Sequence, residues 1–319
     1  MRTRRMPRIA SIAAVLSLVA ACSSGATTVD PYQVLASATQ ATRSPVQVNV
    51  GASVKDGTAT VTIDPAALGV VIDRDAGTAA IHVSLPAGSL GIDAATLSQL
   101  GVTGSTVDLD VLFDGQALYG RSPLFATVLT MLLGSSGDLP SGDLTGWLRF
   151  GTKDDLTSLG SMVGGPSAMP SFAVPSPGDA ASMKSTLEAE GITFTYVATE
   201  KHDGVDAYHL TAAVDTTKLL SSPTLDSISQ TQRDQATTAL KDVTISGDVW
   251  VEKSSSHVIE VDVHVVGAKD ATQTADFTVK LGTPDGSIST TAPGTYVDVP
   301  LKSIVSNLTK LIGQGLSGA

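Results

Sequence analysis

The side chains that could do chemistry in this 319-residue chain are five histidines, thirty-one carboxylates and one cysteine. The histidines are His82, His202, His209, His257 and His264. Their spacing gives no H-x-x-x-H, no H-E-x-x-H and no Cys/His cluster, the patterns that aim two or more ligands at one metal ion. No G-x-S-x-G elbow presents a serine nucleophile, and neither a P-loop nor a G-x-G-x-x-G after a strand offers a phosphate cradle. Asp248, Glu252, Glu260 and Asp262 fall on the polar parity of one predicted hairpin. An acid–base pair needs two such groups held close in a cleft, so these read as solvated charges. His209 and His264 lie in predicted strands among polar neighbours. The expectation is a protein that is not an enzyme, with no catalytic residue, no metal and no cofactor. Trp250 alternates with Val249 and Val251 and so shares the face of Asp248 and Glu252; packing beneath a helix is expected for it, with a contact surface as the alternative.

The cysteine carries the strongest signal. Arg2, Arg4, Arg5 and Arg8 precede an apolar run from Ile9 to Ala21, and Val19-Ala20-Ala21 leads into Cys22. A basic segment, a short apolar core and small residues before a cut form a secretory signal peptide, here residues 1–21. A cut just before cysteine is the bacterial lipoprotein pattern. The Cys22 thiol would then carry a diacylglycerol and the new N-terminus a third acyl chain such as palmitate. At ~0.8 kcal/mol per buried methylene, two or three chains anchor firmly. The alternative is a plain secreted protein. The apolar run is too short for an ordinary transmembrane helix. Residues 22–30 read as a flexible tether. The expected address is the outer face of the cytoplasmic membrane.

Four arginines leave with the leader, so sixteen basic residues face thirty-one acidic ones and the net charge becomes −15. That balance argues against nucleic acid as a partner and against adsorption to anionic lipid. A single cysteine permits no internal disulfide.

The elements that must position any site are mostly strands. From Val46 onward, apolar and polar residues alternate with period two, and Asp56-Gly57, Asp75-Ala76-Gly77, Asp114-Gly115, Asp203-Gly204 and Pro284-Asp285-Gly286 punctuate the runs. About ten strands joined by tight turns predict an antiparallel sheet. Asp114 to Tyr119 and Asp203 to Tyr208 share D-G-x-x-x-Y, which reads as two ordinary hairpins. Helices are expected near Pro31, after Ser122-Pro123, from Asp154-Asp155, from Ser176-Pro177, over roughly 222–241, and over 300–313, where an apolar stripe runs from Leu301 to Ile312. The run Leu124 to Leu133 is apolar almost all round, so burial on most sides is expected. Two Gly/Pro/Ser-rich loops, 134–145 and 164–178, read as surface excursions. Residues 31–319 are expected to form a single domain.

The order of elements then points to a family. Lipobox, short helix, hairpins, Asp114-Gly115 with Leu118-Tyr119, Trp147 to Phe150, and Val249-Trp250-Val251 before a last long hairpin resemble the actinobacterial LppX/LprA/LprF/LprG lipoproteins, over roughly 32–290. The resemblance implies an α+β fold: a curved antiparallel half-barrel sheet with helices on its concave face, similar to LolA/LolB. It also implies binding of acylated lipid or lipoglycan and assistance in its transport to the envelope, with an envelope transporter as a possible partner. No catalytic residue comes with it. The two Gly/Pro/Ser loops and the helix after Pro300 depart from the family pattern.

An apolar cavity is favourable when acyl chains fill it, and it leaves no polar signature in a sequence. Leu124, Phe125, Val128, Leu129, Leu132 and Leu133 are the candidate lining residues; their alternative role is to fill a closed core, in a lipoprotein that binds another protein.

Overall fold

The structure is a computed structural model that describes residues 29–319, apart from 42, 91–92, 100–101, 103, 135–136, 156–178, 223–229, 268–271, 302, 305 and 308–319. Its elements, in chain order, are α1 (Pro31–Gln40), β1 (Val46–Asp56), β2 (Ala59–Ile63), β3 (Leu68–Asp73), β4 (Thr78–Pro86), α2 (Ala94–Gln99), β5 (Thr106–Phe113), β6 (Ala117–Arg121), α3 (Leu124–Leu133) and β7 (Leu148–Thr152). They continue with α4 (Ala180–Ala189), β8 (Ile192–His202), β9 (Val205–Val214), α5 (Thr216–Leu220), α6 (Gln230–Leu240), β10 (Val243–Glu252), β11 (Val258–Gly267), β12 (Thr274–Gly282) and β13 (Val297–Asp298). The class is α+β, as expected. The strand order runs from β13 at one end to β8 at the other, so the sheet is not closed into a barrel. Sequence-adjacent strands that pair do so antiparallel, and two-residue β13 runs parallel to β7.

Contacts divide the chain into two compact units. The first takes residues up to Arg43, Val50–Pro65 and Ala173–Gly282; the second takes Ser44–Asn49, Ala66–Phe172 and residues from Thr283 on. Strand β1 contributes its first residues to the second unit and the remainder to the first.

In the first unit the strand order β12-β11-β10-β9-β8 sets period-two side chains on two unlike faces. One face is apolar and covered. Tyr32 and Leu35 of α1 and Met183 of α4 pack over Phe194, Leu210, Ala212, Val249 and Val251. Leu219 of α5 and Leu240 of α6 close over Ile245 and Val263. Side-chain caps set where these helices begin: Asp30 accepts the Tyr32 N–H, Asp179 the Ser182 N–H, and Asp215 those of Thr217 and Lys218. The third predicted helix is helical from Ala180, after its Asp179 cap; Ser176 and Pro177, where the sequence predicts its start, lie outside the described residues. The fourth is helical from Gln230 among the described residues.

The two D-G-x-x-x-Y segments make different turns. His202 pairs directly with Val205, leaving Asp203 (φ 46°) and Gly204 (φ 87°) as a two-residue turn with both φ positive, the type that matches strand twist. Phe113 pairs with Leu118, so a three-residue loop, Asp114 to Gln116, precedes β6, and Asp114 caps it by accepting the N–H groups of Gln116 and Ala117. These are ordinary hairpins, not a repeat.

In the second unit, cross-strand register stacks apolar residues in rows on one face. Val48, Val70, Ile81 and Val111 make one row; Val46, Ile72, Ala79, Phe113 and Leu118 a second; Leu68, Val83 and Leu109 a third. None of these twelve side chains is fully buried, and Ile81 is 38% exposed. The opposite face carries Ala80, Leu112, Ala117 and Tyr119, which pack together. Strand β7 and helix α2 went unread in the sequence because each is shorter than the patterns that reveal such elements. After Pro300, residues 301, 303–304 and 306–307 are helical; the rest of the predicted 300–313 stripe, the loop 164–178 and the predicted helix beyond Asp155 lie outside the described residues.

Candidate functional site

Helix α3 is positioned by the strand before it. Ser122 is buried at the end of β6; its hydroxyl donates to the Asp108 carbonyl and accepts the Leu124 N–H. Leu129 and Leu133 are buried in a closed cluster with Leu148 and Val299, and Phe125 and Leu132 border that cluster. Leu124 turns toward Ala87, Leu97, Val102 and Val107. Phe125 meets Phe150 edge-to-face at 5.3 Å directly above Gly120, where a Cβ would lie 2.7 Å from Phe150 and 3.0 Å from Phe125. Val128 is 41% exposed and Met131 71% exposed. Burial on most sides, expected for this helix, is thus corrected: one apolar side faces solvent. The reason is geometric, since a single helix lying on a sheet buries one stripe. Cys22 lies outside the described residues.

The other face of the first unit's sheet holds what sequence reasoning set aside. Trp250 lies between two imidazoles, 4.3 Å from the His202 ring and 4.6 Å from the His209 ring, with interplanar angles of 15° and 16°. Its indole N–H donates to Glu200. This corrects the expectation of packing under a helix. Trp250 is flanked within its own sheet, because Glu252 pairs with Ala207 and antiparallel register then brings His209 beside it. His209 Nε2 lies 2.7 Å from Asp248 and its Nδ1 3.2 Å from Glu200. His264 Nδ1 lies 2.8 Å from Asp276, and its Nε2 3.6 Å from Asp248. His202 Nε2 is 2.8 Å from Glu260.

Lys280 Nζ sits 2.8 Å from both Glu260 and Asp203, and these two bonds push the ammonium up to about 12, with Asp203 the larger cause. The same contact lowers Asp203. Burial raises Asp262, whose Oδ1 is enclosed without a hydrogen-bond partner. Several carboxylates read as solvated are therefore paired with imidazole or ammonium. The signal that could have found them is shared parity: His209 and His264 stand on the face of Asp248 and Trp250 once the hairpins are put in register. Among the described residues, the side-chain groups within hydrogen-bonding reach of His82, His202, His209 and His264 are carboxylates, not serine hydroxyls.

The second unit has a smaller counterpart. Asp110 bridges His82 Nδ1 at 2.7 Å and the Arg121 guanidinium, which it accepts through two N–H groups at 2.7 and 3.0 Å. Arg121 in turn lies 5.1 Å above the Trp147 ring.

No family model and no curated protein sequence matches the chain. Solved structures do align with it. The lipoprotein LppX of Mycobacterium tuberculosis shares 9% identity over 82% of this chain and 100% of its own, at a TM-score of 0.32. LprF from Mycobacterium bovis shares 8% over 85% of this chain and 100% of its own, at 0.35. A LolA superfamily protein from Nitrosomonas europaea shares 11% over 82% of this chain and 95% of its own, at 0.21. Likeness at this level assigns neither family nor function.

Proposed function

We propose that this protein is an exported envelope lipoprotein, anchored through Cys22, which binds the acyl chains of a lipid or glycolipid against the half-open apolar face of its second unit and assists their transfer within the envelope. The observation that carries this reading is the set of three apolar rows on β1, β3, β4, β5 and β6, twelve side chains without one fully buried. Folding drives such rows out of water, and apolar rows left partly accessible around an exposed Ile81 offer a surface that another apolar body can cover. Leu124 and Phe125 stand where α3 meets this face; Val128 lines the helix's outer side, and Leu129, Leu132 and Leu133 hold the helix to β7. The lipobox supports the address, and the sequence resemblance to the LppX/LprG lipoproteins supports the ligand class. Each methylene moved from water contributes ~0.8 kcal/mol, so a dozen supply on the order of 10 kcal/mol before the cost of ordering the chain. No covalent step is needed; loading and release are reversible burial.

The test is native mass spectrometry of the chain from Ser23 on, purified without detergent and exposed to diacyl lipids. An adduct of acyl-lipid mass that is lost in Val83→Trp, which fills space over the row of Leu68, Val83 and Leu109, is the expected result. An adduct that survives Val83→Trp but is lost in Met131→Lys would move the site to the outer side of α3. A clean apo mass throughout would sink acyl binding. It would then favour the reading in which exposed Val128 and Met131 dock another protein.

A further inference from the structure

At the β8–β9 turn, far in sequence from α3, ligand-type groups converge. A His202 ring nitrogen, an Asp203 carboxylate oxygen and a Glu260 carboxylate oxygen all lie within 4.8 Å of one another. Each is held in place by something other than its neighbours in the cluster. The His202 ring is fixed by stacking on Trp250. Asp203 is presented by a tight turn with positive φ. Glu260 is 7% exposed, near the start of β11, and paired in register with Lys280 and Trp250.

A carboxylate so enclosed requires a positive charge beside it, and two carboxylates at one point favour a doubly charged one. The residue that answers now is Lys280, whose ammonium contacts both. Its side chain is 40% exposed, on a flexible four-carbon stem that can carry the charge into solvent. Lys280 meets the two carboxylates and not the imidazole, whose Nε2–H donates to Glu260. A metal ion would take the place of that proton and use the freed imidazole lone pair together with both carboxylates. One imidazole and two carboxylates form an N/O donor set suited to zinc and similar divalent ions, with water completing the shell.

We propose that His202, Asp203 and Glu260 form a divalent transition-metal site, with Lys280 as the tethered cation that the metal displaces. This inference does not depend on acyl-chain binding. The experiment is titration of the full-length protein, purified from membranes in a maltoside detergent, with Zn²⁺ in a non-chelating buffer. Calorimetry reads stoichiometry. Trp250 fluorescence, in a Trp147→Phe background, reports on the His202 ring stacked against it.

One equivalent should bind, with a change in Trp250 emission. Lys280→Met should tighten binding about tenfold or more by removing the competitor, and His202→Gln or Glu260→Gln should weaken it by about tenfold or more. His209→Gln should leave the affinity unchanged, since His209 contacts Asp248 and Glu200 rather than Glu260. Near-ultraviolet circular dichroism confirms that each variant keeps its fold. Absence of saturable binding in the wild type overturns the proposal. So does an affinity indifferent to both His202→Gln and Glu260→Gln, or binding that appears only in Lys280→Met, which would make the lysine a permanent member of a closed ion-pair cluster.

Discussion

Two sheet faces in this molecule are written in nearly the same alphabet of Val, Leu, Ile and Ala, yet they finish differently. In the first unit, Leu210, Ala212, Val249 and Val251 are fully enclosed beneath α1 and α4. In the second, Val70, Val83, Leu109 and Val111 sit in equally regular rows and remain half-open. The strand pattern is the same; among the described residues, the supply of helix is not. Four helices roof the first unit's rows, whereas α3 covers the β6–β7 end of the second unit's face and α2 one corner beside Val107. The lesson is that alternation specifies which side of a strand is apolar, while the number of helices available to that side decides whether it becomes core or surface.

That contrast can be tested by paired truncations. Leu210→Ala, at 0% exposure, should cost about 3 kcal/mol in urea unfolding, in the range of fully buried leucines. Leu109→Ala, on the partly open rows, should cost less, about 2 kcal/mol, since part of its side chain already meets solvent and the cavity it leaves is open to water. Equal costs would erase the distinction between the two faces. Gly120→Ala probes where α3 is seated. Its Cβ must push aside the Phe125 and Phe150 rings, and about 1–3 kcal/mol of overpacking is expected, read from the same unfolding curves. A smaller effect is expected from Ile81→Lys. Stability should stay within about 0.5 kcal/mol of wild type, while binding of an apolar fluorescent dye should fall several-fold; undiminished dye binding would locate the open surface elsewhere.

The smallest effect concerns the polar side of the first unit. Burial raises the Asp262 carboxyl, so the native state favours its neutral form. That contribution to stability is present at low pH and is lost as pH rises through the raised value. Asp262→Asn should therefore be more stable than wild type at pH 7, with the gap closing as the pH falls toward the ordinary carboxylate range. A gap that is constant with pH would mean the group ionises freely.

Much of the fold could be read in the chain because each strand announces itself locally. Alternation placed the hairpins, and their Asp-Gly turns follow from the positive φ that such turns demand. The site was less legible. Leu124 to Leu133 is legible as an apolar helix, but which of its sides meets the sheet depends on Gly120 and Phe150, whose contact with Phe125 no spacing rule encodes. His202, Trp250 and Glu260 come from three strands, and their assembly depends on cross-strand register. A one-residue slip in β10, for which the bulge between Trp250 and Val251 is a reminder, would separate them. Helix α5 was missed because five residues carry no periodicity to detect.

Strand β1 has a consequence for how the chain reaches this state. Its first residues pair with β3, about twenty positions on, but its neighbour on the other side is β12, more than two hundred residues later. Closing so large a loop is slow compared with forming a hairpin. A chain emerging N-terminus first would complete β3–β4 and β5–β6 early and then hold β1 with one flank bare until Thr274–Gly282 arrived. The assembly order is therefore set by a strand near the beginning waiting for one near the end. During that interval the bare flank, rather than any finished surface, is where a chaperone would be needed.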